Sequence, residues 1–126
     1  DMAVVAYACD RVAVMYAGLI VEAGSVREVL ERPFHPYTMG LTHAFPDVHG
    51  EVAELVPIDG SPPSMIDPPP GCRFAPRCPF ALPRCHTDAP PAITTGDHTV
   101  ACWRAEDAVA LREAAAKPAT WAEMAV

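Results

Sequence analysis

DRVAVMYAGLIVEAGSVREVLERPFHPYT, residues 10–38, contains the turns that decide the fold. Arg11 to Ala17 is apolar and β-branched, with little of the alternation of a half-exposed strand, and reads as a strand covered on both faces. Gly18 interrupts the run and Leu19 to Ala23 resumes it, which predicts a hairpin turning at Ala17-Gly18. Gly24-Ser25 stops the second strand. Ser25 stands three residues before Glu28, the spacing of a capping box, and predicts a helix over 26–32. That helix buries Val26, Val29 and Leu30, exposes Arg27, Glu28 and Glu31, and ends at Pro33. Pro36 suits the first turn of a further helix. Its apolar set is Met39, Leu41 and Phe45, and Pro46 closes it.

Upstream, Met2 to Cys9 has the alanine spacing of a short buried helix with Asp1 at its N-cap, and Cys9 is expected to be a small buried side chain there. Downstream the composition changes. The chain has fifteen prolines in 126 residues, about twice the usual share, and they cluster between Pro57 and Pro91. This middle section is expected to be loops and turns, with one strand at Glu54 to Ile58. Ala105 to Lys117 is alanine-rich with interspersed charge and predicts a terminal helix; Pro118 ends it and the last eight residues fray. The fold class is therefore α+β, in three sections: residues 1–46, a cysteine-rich extension over 47–104, and a terminal helix and tail over 105–126.

A net charge of −7 gives no basic patch for nucleic acid. The longest apolar run, Val12 to Val21, is too short to span a membrane. No basic leader precedes it, so the expected setting is cytosolic, where structural disulfides are rare. The chain opens directly into regular structure without methionine, which suggests a piece of a longer protein.

Within the extension, Cys72, Cys78, Cys85 and Cys102 are separated by five, six and sixteen residues. Sulfur ligands favour zinc, copper(I) or iron–sulfur centres. Structural zinc usually shows pairs two to four residues apart, which are absent here, whereas wider gaps suit a [4Fe–4S] cube whose irons each need a thiolate. Pro76, Pro79 and Pro83 stiffen the loops, and Arg73, Arg77 and Arg84 could offset a cluster's negative charge. Three alternatives stay open: zinc, with His86 or His98 replacing a thiolate; two disulfides; or four packed thiols. Other residues carry plainer expectations. His35 caps or packs at the mouth of its helix, Tyr37 belongs to a core or interface, and His43 is exposed or satisfied. Glu22 and Glu28 lie on a solvated strand edge and a helix face, and Trp103 shields the cysteine site. No arrangement argues for nucleophilic catalysis.

Two stretches together carry a resemblance. Residues 10–38, ending in HPYT, resemble the end of the ATP-binding subunit of ABC importers for oligopeptides and dipeptides. PPPGCRFAPRCPF, followed by Cys85 and Cys102, is similar to the C-terminal extension of that subfamily. The resemblance covers roughly residues 1–104. It implies that the hairpin and helices close an ABC ATPase domain and that Asp1 follows the switch histidine. Residues 1–126 contain no G-x-x-x-x-G-K-[ST] phosphate loop. They also lack a signature motif, a Walker-B carboxylate and a switch histidine. ATP and Mg²⁺ would therefore belong to a preceding part, and these residues are expected to be non-enzymatic. The resemblance further implies a [4Fe–4S] cluster on Cys72, Cys78, Cys85 and Cys102. It implies partners in a second ATP-binding subunit and the transmembrane permeases, and a place on the cytoplasmic face of the inner membrane. The competing function is an independent iron–sulfur or zinc module with a redox or sensing role. The hairpin discriminates, because its strands are expected to pair with a sheet outside this chain.

Overall fold

A computed structural model describes residues 2–44, 58 and 60–122. Helix α1 spans Met2–Ala8, strand β1 Arg11–Tyr16 and strand β2 Leu19–Ser25. Helices α2 (Val26–Glu31) and α3 (Pro36–Ala44) follow. After the cysteine loops come β3 (Ile93–Thr95), β4 (His98–Val100), α4 (Ala108–Ala115) and α5 (Pro118–Ala122). The architecture is α+β, as the sequence predicts. Asp1, Phe45, Pro46, most of the strand expected at 54–58 and the last four residues lie outside the described residues; Ile58 itself is in no strand.

The hairpin turns where expected. Ala17 and Gly18 both take positive φ, 47° and 84°, as a two-residue type I′ turn demands. Alanine is strained in this region, and the Arg73 guanidinium donates to the Ala17 carbonyl to hold it there. Ser25 caps α2, its hydroxyl accepting the Glu28 N–H at 3.1 Å. Val29 and Leu30 are buried and Arg27 and Glu31 exposed, while Val26 is half-buried.

The sheet departs from expectation. Its order is β1-β2-β4-β3, antiparallel throughout. The second edge of the hairpin is thus covered by the chain's own extension, through Glu22↔Val100 and Ala23↔Thr99. Sequence reading misses β3 and β4 because each has three residues and sits in a proline-rich context. Their turn, Gly96-Asp97, is a recognised hairpin dipeptide, with Gly96 at φ 61°.

Burial differs at the N-terminus as well. In β1 only Val14 and Tyr16 are buried, and a bulge falls between Val14 and Met15. Met15 and Ile20 pair on the outer face, 60% and 55% exposed, so the hairpin is covered on one face there rather than two. Helix α1 is likewise exposed: Tyr7 is 95% accessible, and Cys9 is exposed rather than buried.

The core lies on the other face of the hairpin. Val14, Tyr16, Val21, Val29, Leu30 and Met39 meet Phe74 from the cysteine loops and Leu111, Ala115 and Trp121 from the terminal helices. Phe74 packs edge-on against Tyr16 at 5.2 Å and tilted against Tyr37 at 5.3 Å, within the range of favourable aromatic pairs. Tyr37 therefore sits at a core contact, as expected. Pro118 does not end the helical structure; it opens α5, which buries Trp121. The indole N–H of Trp121 donates to the Ala115 carbonyl at 2.9 Å. Gly40 lets α3 approach this ring, since a Cβ there would lie 2.9 Å from it. Among the described residues no helix is long and apolar enough to cross a membrane.

Candidate metal centre

The cysteine loops hold no element longer than one turn of 3-10 helix: Ala75–Arg77 and Pro83–His86. Backbone hydrogen bonds bring the cysteines together. The Cys72 N–H donates to the Cys85 carbonyl at 2.7 Å, joining the two loops. Gly71 permits that approach, because a Cβ there would lie 2.7 Å from the His86 carbonyl carbon. Cys78 closes the first turn by donating to the Ala75 carbonyl at 3.1 Å. Cys102 arrives differently. It follows β4, and the Ala101 N–H donates to the Val21 carbonyl at 2.9 Å, so the sheet delivers it.

All four side chains line one cavity, together with His35, Phe74, Phe80, Trp103 and Arg104. The cavity is small, about 20 Å³, the size of a single water. Each sulfur also faces backbone donors. The Leu82 N–H reaches Cys85 Sγ, and the Arg104 N–H reaches Cys102 Sγ, both at 3.3 Å. The backbone of Phe74 and Ala75 serves Cys72, and that of Phe80 serves Cys78. Such donors favour the thiolate.

At Cys72, Cys78 and Cys102 burial opposes them and wins. It raises the Cys72 thiol above its ordinary value, pushes Cys78 up to about 12 and Cys102 to about 11. Neighbouring sulfurs push the same way as burial. Cys72, Cys78 and Cys102 therefore stay protonated and weakly reactive near neutral pH.

All five cysteines are free thiols. Among the described residues no three His, Cys, Asp or Glu side chains stand close enough to share one metal ion. Four cysteines lining one cavity are the donor chemistry of an iron–sulfur centre or of zinc.

The histidines considered for zinc stand elsewhere. His86 is exposed and outside the cavity lining. His98 is buried against the Glu22 carboxylate, Nε2 to Oε2. The three arginines expected to balance charge are also otherwise engaged. Arg73 binds the hairpin turn. Arg77 binds the Tyr16 hydroxyl and the Ile58 and Gly60 carbonyls. Arg84 stacks on Trp103 at 3.5 Å. Arg104 is the arginine that lines the cavity, with Nη1 on the Phe80 carbonyl at 3.2 Å. Trp103 lines the cavity as expected, its indole N–H on the Asp88 carbonyl at 2.8 Å.

Glu22 is the main residue that sequence reading misplaces. It is 1% exposed, not at a solvated edge. Its two oxygens accept the backbone N–H groups of Phe34 (2.8 Å) and His35 (3.0 Å), and it pairs with His98. One carboxylate thus ties β2 to the start of α3 and to β4. Its signal in the sequence is an acid inside an otherwise apolar strand, LIVEA. His35 caps α3 as expected, Nδ1 accepting the Tyr37 N–H at 3.0 Å. It also reaches the cysteine cavity, which sequence reading does not show.

Comparison with known proteins gives the context for this site. Residues 21–85 match the family model described as "Oligopeptide/dipeptide transporter, C-terminal region". The dipeptide transport ATP-binding protein DppD of Bacillus subtilis is 48% identical over 114 residues, covering 86% of this chain and 34% of that protein. The oligopeptide transport ATP-binding protein AppD of the same organism is 45% identical over 108 residues, covering 85% and 33%. The oligopeptide transport ATP-binding protein OppD of Salmonella typhimurium is 48% identical over 91 residues, covering 72% and 27%. The chain thus spans about a third of the length of these relatives. With a family match that runs from β2 through the third cavity cysteine, the chain belongs to the oligopeptide/dipeptide transporter C-terminal region family.

Proposed function

We propose that this chain serves as the C-terminal portion of the ATP-binding subunit of a peptide importer, with a structural and regulatory role. ATP and Mg²⁺ chemistry lies elsewhere in such a subunit, since residues 1–126 carry no phosphate loop. Its partners are a second ATP-binding subunit and the transmembrane permeases, and its place is the cytoplasmic face of the inner membrane. The observation that carries this reading is the family match together with similarity to ATP-binding proteins of dipeptide and oligopeptide transport.

Within that role, Cys72, Cys78, Cys85 and Cys102 hold a [4Fe–4S] cluster that staples the extension. The support is the four cysteines that line one cavity and the backbone donors on the sulfurs of Cys85 and Cys102. When bound, the cluster supplies binding free energy that becomes folding free energy in loops with almost no regular structure. The chain's own residues position the thiols, through the Cys72–Cys85 backbone bond and the delivery of Cys102 by β4.

Anaerobic purification followed by iron, sulfide and zinc analysis tests the cluster. About four irons and four sulfides per chain are expected, lost in Cys72→Ser and Cys102→Ser. A colourless protein with one zinc would remove the cluster and keep the staple. Peptide uptake into vesicles that carry the complete subunits and permeases tests the role. The two serine variants should slow uptake; unchanged uptake, with the cluster gone, would leave it no part in transport.

A further inference from the structure

Three buried polar atoms lack a hydrogen-bond partner among the described residues: His35 Nε2, Thr38 Oγ1 and His98 Nδ1. Of these residues, only His35 lines the cysteine cavity. Buried polar groups are nearly always paired, and an orphan carries the full cost of its desolvation. His35 is 1% exposed, so water does not satisfy it from outside.

The rest of the residue is held firmly. Its backbone N–H donates to Glu22 Oε1 at 3.0 Å, and Nδ1 accepts the Tyr37 N–H at 3.0 Å. An accepting Nδ1 carries no proton. The single ring proton therefore sits on Nε2. The result is a buried N–H donor on a residue that shares the cavity wall with the four cysteines, Arg104 and mostly apolar groups. No protein acceptor among the described residues reaches this N–H, so its acceptor has to arrive with the group that the four thiols hold.

We propose that His35 Nε2–H donates a hydrogen bond to a sulfur of the metal centre held by Cys72, Cys78, Cys85 and Cys102, with Glu22 and Tyr37 fixing its aim. This rests on the cluster reading given above. The four thiols already provide one ligand per iron, which leaves the imidazole as a donor outside the ligand set. Reduction adds negative charge to the cluster. A donor aimed at a sulfur favours the reduced form and raises the potential. Glu22 lies on β2, so the hairpin and the metal site are joined through one side chain.

The test uses His35→Asn in the anaerobically purified protein. Asparagine caps a helix well and can still accept the Tyr37 N–H, but it is too short to replace Nε2. The wild-type iron and sulfide content comes first; a wild type without a cluster overturns the cluster reading and this inference together. With the cluster present, the midpoint potential decides. Loss of the donor should shift the ratio of oxidised to reduced protein about tenfold toward oxidised, about 59 mV for one electron. An unchanged potential with a full cluster overturns the donor role and leaves the cluster reading standing. Pulsed electron paramagnetic resonance of the reduced wild type, labelled with ¹⁵N-histidine, needs no variant. A weak coupling from one of the five histidines is expected; no coupling, or one as large as a direct iron–nitrogen bond gives, overturns the proposal.

Discussion

The hairpin with its helices, residues 10–44, and the cysteine loops, residues 71–92, reach order by opposite routes. The hairpin has regular strands, a strict turn and a capped helix, yet its outer face leaves Met15 and Ile20 more than half exposed. The cysteine loops have two isolated 3-10 turns, yet they place Phe74 at the centre of the core, 1% exposed. Regularity and burial are thus separated in this chain. The irregular segment supplies the middle of the hydrophobic cluster, and the regular one supplies the frame around it. The two meet at Glu22, whose carboxylate binds the backbone ahead of α3 and a histidine of β4.

The largest expected effect breaks that arrangement from the irregular side. Phe74→Ala should destabilise the protein by about 3–5 kcal/mol, the usual cost of emptying a buried aromatic site, measured by urea unfolding under reducing conditions. A cost near that of a surface change would mean that the cysteine loops lie on the core without completing it. Glu22→Ala removes the shared carboxylate, leaves two backbone N–H groups and His98 without their acceptor, and should cost about 3 kcal/mol. Glu22→Gln keeps an acceptor oxygen and should cost less, which separates the hydrogen bonds from the bulk of the side chain.

A smaller effect sharpens the comparison through pH. Burial lifts Cys78 to about 12 and Cys102 to about 11 from an ordinary 9.0. Above about pH 9 the unfolded chain loses these protons and the folded chain keeps them. The metal-free protein is therefore stabilised below pH 9 and loses that stability as the pH rises toward 11 and 12. Urea midpoints measured at pH 7.5 and 10 should fall, and Cys78→Ser should flatten the fall. The smallest effect is on the regular side: Met15→Thr should change stability by less than about 0.5 kcal/mol. If it costs far more, the outer face of the hairpin is not a free surface of the fold.

The uneven legibility of the sequence follows from the same division. The Ala17-Gly18 turn, the Ser25 cap and the Pro36 helix start are local signals, each set by residues a few positions apart, and each is where the sequence predicts it. The four cysteines are legible as a group from their type and spacing. What is lost is non-local. Pairing of β2 with β4 joins residues about eighty positions apart. The burial of Glu22 depends on His98, and the arginines are drawn away from the cavity by the turn carbonyl, the Tyr16 hydroxyl and the Trp103 ring. No periodicity carries such pairings. Pro118 misleads for a related reason: it suits the first turn of α5 as well as it ends α4, and the burial of Trp121 decides between them.

The central claim is that the hairpin and the cysteine-rich extension fold as one unit across the β2–β4 seam. Native-state amide exchange in graded urea measures this directly. The Ala101 N–H, which bonds the Val21 carbonyl, should open with the same free energy and urea dependence as the amides in the middle of β2. If the Ala101 and β4 amides exchange through a separate, weaker opening while β2 stays protected, the extension is an appendage to the hairpin, and the account of a shared core fails.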